Sequence, residues 1–472
     1  MKLNDILEVN IVRVGDSGEG IALVDNQVVF IPYAPKDSRV KIKVTKVSKK
    51  YASAELIEVL SSKSELLTPF CENFTKCGGC DLQHMTYPSQ LSFKRQKIEN
   101  LLYKFLRTRY PVSETIPSDN IVKYRNKIQL QVGFVNKKVV VGFFNKNSHD
   151  IVPITHCDLY EDWATTLIKI FTTWANKERV TVYNEKTSRG ILRNVVARNI
   201  ANKLVVTVVI NGDKLDLEGL RKALENEFSS FSLYLSINKR KNSQILGDKL
   251  IKVYDEEDLV TVDGIKLSIS PYSFFQVNDN VRRKLYSEVT RNIHNDIIID
   301  AYSGIGVLST QLAKNAKYVF GIEIVEDAVK NADEIVSNNV IYGEITNILG
   351  DTAIILPKLV KLLESDNREE LVEFLRKNTL RGVNEEKINV APKNISIVLD
   401  PPRKGCDMSV IQAVIESGAK EVAYISCDPA TLCRDLTFLV KEYNIKKVQP
   451  FDLFPETCHV ETLVILTRSN KD

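Results

Sequence analysis

The chain is long enough for two or three domains and has the composition of a folded protein. It has 472 residues, of which 44% are hydrophobic and 26% charged, so disorder is expected only at the termini. Its 64 basic and 60 acidic residues leave a net charge of +4, which by itself does not indicate nucleic-acid binding. No stretch approaches the roughly 18 apolar residues of a membrane span, and no signal-peptide pattern is present. We therefore expect a cytoplasmic protein without a membrane attachment.

The basic residues cluster locally. Such clusters usually keep a surface solvated, so three together favour a phosphate-containing partner only modestly. The clusters are Lys41, Lys43, Lys46, Lys49 and Lys50; Arg189, Arg193 and Arg198; and Lys239, Arg240 and Lys241.

Residues 1–60 alternate short strand-like segments with turn signals such as DSGEG and PKDSR. This pattern predicts a small β-barrel. Its strands and lysines resemble the TRAM module, an OB-like barrel that binds RNA, and an open barrel face offers a basic groove for that purpose. A barrel that only packs against the rest of the chain is the alternative.

Residues 61–260 are predicted to form a central α+β domain with a cysteine cluster. Eight cysteines without a secretion signal indicate reduced thiols, metal ligands or catalytic groups rather than disulfides. Four thiolates suit either a tetrahedral zinc ion or an iron–sulfur cluster, and the spacing does not decide between them. The four candidates are Cys71, Cys77 and Cys80, in a C-x5-C-x2-C pattern, and Cys157.

From residue 261 to residue 472, short apolar strands such as DIIIDA, KYVFGIE, ISIVLD and EVAYIS alternate with helices. This alternation predicts a mostly parallel sheet covered by helices on both faces, which is an α/β Rossmann-like arrangement. Ligands of such sheets bind at the carboxyl ends of the strands.

The first of these strand ends carries features of a nucleoside site. Asp300 ends the strand in DIIIDAYSGIGVLS, and Gly304 and Gly306 follow in the turn, where the missing side chains let the backbone approach a ligand. Ser309 stands where the dinucleotide fingerprint requires glycine or alanine, so NAD is disfavoured.

The next two strand ends each carry a carboxylate. Glu323 lies at a spacing that suits a carboxylate bound to two ribose hydroxyls. Asp351 is either a contact to an adenine ring or the N-cap of the following helix. Together with the glycine turn, these residues resemble the class I methyltransferase fold and predict S-adenosylmethionine as the cofactor.

Three further motifs follow: VLDPPRKG with Asp400, YISCDPATLCRD with Cys427, and FDLFPETCHVET with Glu461. They resemble the signatures of the RNA uracil-5-methyltransferase family. The resemblance covers nearly the whole chain, because PYSFFQVN, CGGCDLQHMTY and the TRAM-like N-terminus fit its bacterial ribosomal RNA branch.

The resemblance implies methylation of carbon 5 of a uridine in RNA, most favourably 23S ribosomal RNA with the target uridine flipped out, and no obligate protein partner. It implies a [4Fe-4S] cluster on the four cysteines, with zinc as the alternative, whereas Cys406, Cys433 and Cys458 are expected only to pack. Cys427 would be the nucleophile and Glu461 the proton acceptor. The implied cofactor-site residues are Gln276, Tyr302, Glu323 and Asp400.

Other functions remain open. A transfer RNA uracil-5-methyltransferase and a catalytically silent RNA-binding or ribosome-assembly protein are the alternatives. A cytosine-5 methyltransferase would be expected to carry a cysteine in its Asp-Pro motif, and DPPRKG has none.

The chain departs from the family pattern at three places. Asp428 stands where asparagine is expected and Ser303 where cysteine is usual. An ionised Asp428 close to Cys427 would raise the pKa of that thiol. Residues 352–394 form an unusually long connection in which LPKLVKLLESDNREELVEFLRKN is predicted to be an amphipathic helix in an insertion.

Overall fold

The fold is that of a computed structural model of the full chain. The structure describes residues 1–63, 65–146, 148–242, 244–256, 259–365, 367–385, 388 and 394–469. Most strands belong to three sheets of six or seven strands, which follow one another along the chain.

The N-terminal sheet is a small barrel-like unit. Its strands are β1 (Ile6–Asn10), β2 (Arg13–Val14), β3 (Gly20–Val24), β4 (Gln27–Ile31), β5 (Ser38–Val47) and β6 (Tyr51–Ser62). Their order is β1-β5-β6-β4-β3-β2. Successive strand residues point to opposite faces, so Val40, Ile42 and Val44 of β5 are fully buried whereas Lys43 is exposed. Lys46 is exposed as well, beyond a shift of register between Val44 and Lys46. The alternation gives the predicted OB-like TRAM barrel an apolar core and a basic outer face.

A helix, α1 (Tyr87–Leu106), follows the cysteine-bearing segment. Proline at the start of this helix costs no hydrogen bond, because the first N–H groups of a helix have no partner within it. Ile98, Leu101 and Leu102 of α1 lie in the hydrophobic core of the C-terminal sheet. The helix therefore bridges the proposed domains 61–260 and 261–472, and that division stays a proposal.

The central sheet has the order β13-β12-β11-β10-β7-β8-β9. Helices α2 (Asp162–Lys177) and α3 (Glu218–Glu225) share its hydrophobic core, to which they contribute Phe171 and Leu220. Arg198, in one of the basic clusters, is not solvated: it is 5% exposed and donates a hydrogen bond to the Ser273 carbonyl. The strands are β7 (Lys127–Val135), β8 (Lys138–Phe144), β9 (Ile151–Pro153), β10 (Leu192–Ile200), β11 (Lys203–Ile210), β12 (Phe231–Ile237) and β13 (Lys249–Asp255).

A hairpin of β14 (Val260–Val262) and β15 (Ile265–Leu267) leads into the C-terminal sheet. The strands of that sheet are β16 (Ile297–Asp300), β17 (Tyr318–Glu323), β18 (Glu344–Leu349), β19 (Ile395–Leu399), β20 (Glu421–Ser426), β21 (Tyr443–Phe451) and β22 (Glu461–Arg468). Their order is β18-β17-β16-β19-β20-β22-β21. The first five are parallel, and β22 is antiparallel to both of its neighbours.

Helices cover this sheet and hydrophobic cores lie on both of its faces, which confirms the predicted α/β Rossmann-like methyltransferase fold. The order of the strands reverses between β16 and β19, and ligands of such sheets bind at that crevice. The helices are α4 (Asp279–Asn292), α5 (Val307–Leu312), α6 (Glu326–Asn338), α7 (Thr352–Glu364), α8 (Arg368–Asn378), α9 (Met408–Glu416) and α10 (Pro429–Leu439).

The long connection 352–394 forms two helices, α7 and α8, where one amphipathic helix was predicted. Asn367 accounts for the break, because its side chain caps α8 by accepting a hydrogen bond from the Glu370 N–H. Leu356, Leu359 and Leu375 are fully buried, so the two helices extend the core. Residues 366, 386–387 and 389–393 of this connection lie outside the described part of the chain. Within the described residues, no helix combines the length and apolar character needed to cross a bilayer.

Candidate active site

The candidate site lies at the carboxyl edge of the parallel strands and begins with Asp300, the last residue of β16. Asp300 is 1% exposed, and its Oδ2 accepts a hydrogen bond of 2.7 Å from the Ser309 hydroxyl. Burial, and then the charge of Glu323, raises the pKa of Asp300 to about 6. Gly304 and Gly306 follow with φ of +54° and +83°, the left-handed region that favours glycine.

Glu323, at the end of β17, fixes the glycine turn. Its Oε2 accepts a hydrogen bond of 3.1 Å from the Gly304 N–H, and its Oε1 accepts one of 2.8 Å from the Val325 N–H. The Ser303 N–H also donates to the Ile322 carbonyl, at 3.0 Å. Because this anchor is a backbone bond, serine in place of cysteine at position 303 leaves it intact.

Asp351 follows β18 and caps α7, since its Oδ1 accepts a hydrogen bond of 2.9 Å from the Ala353 N–H. The cap was one of its two predicted roles, and the contact to adenine stays a prediction. Ile324 and Ile354, near the two carboxylates in sequence, are 63% and 55% exposed.

The PYSFFQVN segment is held by the central sheet. The Asn126 side-chain amide donates to the Gln276 carbonyl and the Asn126 N–H donates to the Val277 carbonyl, each at 2.9 Å. Gln276 itself is 4% exposed. Phe274 of the same segment is 58% exposed and lines the cavity that the four cysteines share.

Asp400 follows β19 on the other side of the crevice. Burial, and then the charge of Asp300, raises its pKa to about 7. Burial, followed by the charge of Cys406, also raises the pKa of the Tyr302 hydroxyl. The buried Asp300 and the half-buried Asp400 raise the cost of ionising each other, so the crevice favours a cationic ligand.

The antiparallel pairing of β20 with β22 brings Cys427 and Glu461 together. Ser426 of β20 pairs with Thr462 of β22, so the residue after β20 and the first residue of β22 are neighbours. Glu461 is 2% exposed, and burial, followed by the charge of Asp400, raises its pKa well above the usual range. Burial, followed by the charge of Glu461, raises the pKa of the Cys427 thiol to about 12.

Arg403 is the cation of this site, and the sequence analysis assigned it no role although DPPRKG contains it. Its positive charge acts against the raised pKa of both Cys427 and Glu461. Its carbonyl accepts a hydrogen bond of 3.2 Å from the Thr431 hydroxyl of α10. From the same helix, Asp435 accepts a hydrogen bond of 2.9 Å from the Cys406 N–H, so α10 fixes the whole DPPRKG loop.

Asp428 acts as a helix cap. Its Oδ1 accepts hydrogen bonds from the N–H groups of Ala430 and Thr431, at 2.9 and 3.1 Å. Its charge, after burial, raises the pKa of Cys433 to about 12. Since asparagine and aspartate are comparable N-caps, the departure at this position is compatible with an intact site.

The four predicted metal ligands surround one cavity of about 330 Å³. The charges of Cys71 and Cys77 contribute to raising the pKa of Cys157 to about 12, after burial. Among the residues that the structure describes, no three His, Cys, Asp or Glu side chains are grouped closely enough to bind one metal ion. Thiolates are the ligands that both a zinc ion and an iron–sulfur cluster take, so these four cysteines are the residues that would hold either group.

Comparisons with known proteins identify the family of the chain. Residues 86–469 match the family tRNA (uracil-5-)-methyltransferase, and residues 2–57 match the TRAM domain. An uncharacterised RNA methyltransferase of Clostridium tetani is 33% identical, over 99% of this chain and 97% of its own. One of Listeria innocua is 32% identical, over 99% and 98%.

Among solved structures, the Pyrococcus abyssi tRNA (uracil-54, C5)-methyltransferase in complex with S-adenosyl-L-homocysteine aligns with a TM-score of 0.72. It is 24% identical and the alignment covers 98% of this chain and all of that one, which shows a shared fold. With the family match over most of the chain and the Rossmann-like crevice described above, the chain belongs to the tRNA (uracil-5-)-methyltransferase family and is an S-adenosylmethionine-dependent RNA methyltransferase.

Proposed function

We propose that the enzyme methylates carbon 5 of a uridine in RNA through a covalent bond between Cys427 and carbon 6. The observation that carries this proposal is the meeting of Cys427 and Glu461 beside Asp400, at the crevice where a parallel sheet binds its ligand. Bound S-adenosylmethionine supplies a methyl group on a positively charged sulfur.

The thiolate of Cys427 starts the reaction. Uracil carbon 5 is too weak a nucleophile to take the methyl group unaided. When the sulfur bonds to carbon 6, the electron pair of the 5,6 double bond moves into the ring carbonyl and forms an enolate. Carbon 5 of the enolate then takes the methyl group, while the electron pair of the broken sulfur–methyl bond stays on the leaving sulfur.

Glu461 completes the reaction by accepting the proton of carbon 5. The electron pair of the broken carbon–hydrogen bond restores the 5,6 double bond, and the pair of the carbon–sulfur bond returns to Cys427. The raised pKa of Glu461 supports a carboxylate that takes up a proton readily, and the cation of Arg403 supports the ionised thiolate.

The RNA is proposed to be 23S ribosomal RNA, with transfer RNA as the alternative. The support is the resemblance of CGGCDLQHMTY and of the TRAM-like barrel to the ribosomal branch, together with the exposed lysines of β5. The target base must leave its stack, since a thiol cannot reach carbon 6 inside a helix. Asp428 departs from the family pattern, but it caps a helix as asparagine would. This departure therefore does not support the alternative of a catalytically silent protein.

Cys71, Cys77, Cys80 and Cys157 are proposed to hold a [4Fe-4S] cluster. The cavity that the four cysteines share and the resemblance of CGGCDLQHMTY to the ribosomal branch support this proposal, and zinc remains the alternative. Methyl transfer needs no electron, so the cluster would have a structural or RNA-contacting role.

Replacing Cys427 and Glu461 tests the mechanism, because the two residues act at different steps. Cys427→Ala should give neither adduct nor product. Glu461→Gln should still bond to RNA and transfer the methyl group, but the methylated RNA should remain attached because no base takes the proton. A denaturing gel should then show a slow protein–RNA band that depends on S-adenosylmethionine and is absent from the double variant. Normal turnover by Glu461→Gln would rule out its role as the base.

Replacing Arg403 tests the activation of the thiol. Arg403→Ala removes the cation that lowers the pKa of Cys427, so less thiolate exists at a given pH. Alkylation of Cys427 by iodoacetamide without RNA, followed by mass spectrometry, should slow roughly three- to tenfold. The matched control is Lys404→Ala, which removes the neighbouring exposed cation. Equal rates in both variants would contradict the assignment.

Replacing a cysteine ligand tests the metal assignment. Protein prepared without oxygen should contain about four iron atoms per chain and absorb visible light. Cys77→Ser or Cys157→Ser should lose both signals, whereas Cys458→Ser, at a half-buried cysteine outside the cluster, should keep them. Stoichiometric zinc without iron would exclude the cluster.

Mapping 5-methyluridine in a strain that lacks the gene tests the RNA. A site in 23S ribosomal RNA should lose the modification and regain it on expression of the wild-type enzyme, but not of Cys427→Ala. Loss confined to transfer RNA would replace the ribosomal proposal with the alternative.

A further inference from the structure

The nine residues before Glu461, here called the 452–460 loop, contain buried polar groups that the reaction does not use. Asp452 is fully buried, and Glu456 and Thr457 are each 3% exposed. Buried charged groups are rare unless they are paired. The contacts of this loop come from parts of the chain more than 300 residues away.

Lys94 of α1 binds the start of the loop. Its ammonium is fully buried, lies 2.5 Å from Asp452 Oδ1 and donates a hydrogen bond of 2.9 Å to the Phe454 carbonyl. Replacing such a buried pair by uncharged residues is often neutral for stability. The presence of the pair is therefore weak evidence that it serves only to stabilise the fold. What the pair does supply is a fixed position for the loop relative to α1.

Glu456 forms the tightest turn of the loop. Its φ is +67°, in the left-handed region that a residue with a side chain adopts only when its surroundings hold it there. Gln90 of α1 provides that hold: it donates to Glu456 Oε1 at 3.2 Å and accepts from the Glu456 N–H at 3.1 Å.

The cysteine segment holds the same turn from the other side. The N–H groups of Asp81 and Leu82 both donate to the Glu456 carbonyl, at 2.8 and 3.0 Å. The Cys458 N–H donates to Asp81 Oδ2 at 3.3 Å. Asp81 directly follows Cys80, so the proposed metal ligands and the loop before Glu461 form one hydrogen-bonded unit.

We propose that Lys94 and Gln90, with the cysteine segment, are positioning residues that hold the carboxylate of Glu461 against carbon 5 of the substrate. The inference rests on the proposed role of Glu461 as the base. Glu461 follows Cys458 by three residues and begins β22, so a shift of the turn at Glu456 moves the end of the strand that carries the carboxylate. Cys427 lies between β20 and α10, outside the loop. Loss of the contacts should therefore impair proton removal and leave addition and methyl transfer intact.

The test measures the ratio of trapped adduct to released product, with total RNA from a strain that lacks the gene as substrate. The variants are Lys94→Met, Gln90→Met and the double variant Lys94→Met/Asp452→Asn, which replaces both members of the buried Lys94–Asp452 pair by uncharged side chains. Each should behave as Glu461→Gln does: the adduct accumulates, and turnover falls at least about tenfold, with the 100- to 10,000-fold that a positioned base contributes as the upper bound. Arg95→Met is the control, since Arg95 lies beside Lys94 on α1 but is only half-buried, and it donates a hydrogen bond of 3.0 Å to Glu99 of the same helix.

A merely structural role predicts a different result, because partial unfolding lowers adduct and product together and leaves their ratio unchanged. If the double variant folds and releases product at the wild-type ratio, the positioning role is wrong. If Glu461→Gln itself traps no adduct, Glu461 is not the base, and the positioning role inferred from it is wrong as well. If Glu461→Gln traps the adduct and the double variant does not, only the positioning role is wrong.

Discussion

Three carboxylates crowd the carboxyl edge of the parallel sheet, and the chemistry of the site depends on how their charge is balanced. Burial is the largest cause of the raised pKa of Asp300, Asp400 and Glu461, and a neighbouring carboxylate is the next cause that raises it in each. Among the described residues, Arg403 is the cation that acts against the raised pKa of Glu461. A cationic ligand in the crevice would therefore be stabilised, and it would in turn favour ionisation of the carboxylates. S-adenosylmethionine carries such a charge on its sulfur.

The proposed mechanism depends on the same balance. Arg403 acts against the raised pKa of both Glu461 and Cys427, and a cationic ligand in the crevice would act in the same direction. Bound S-adenosylmethionine would therefore favour the ionised form of the carboxylate that is proposed to take the proton of carbon 5.

Much of this arrangement could be predicted because the ends of apolar strands can be recognised in a sequence. Asp300, Glu323, Asp400 and Cys427 each directly follow or end an apolar strand, and parallel strands bring such ends to one edge. Arg403 was missed because an exposed arginine in a loop has no periodic signal. The roles of Asp351 and Asp428 depend on helix N-terminal geometry, and a sequence alone does not separate a cap from a ligand contact.

The contacts of the 452–460 loop were beyond prediction for a different reason. Lys94 and Asp452 are 358 residues apart, and neither a charge pattern nor a hydrophobic period relates positions at that distance. The left-handed turn at Glu456 also contradicts the usual preference for glycine, so no local signal marks it. Such strain persists only where the surrounding fold holds it. The cysteine segment and α1, which precede the methyltransferase sheet by nearly 200 residues, thereby become part of the apparatus that places its base.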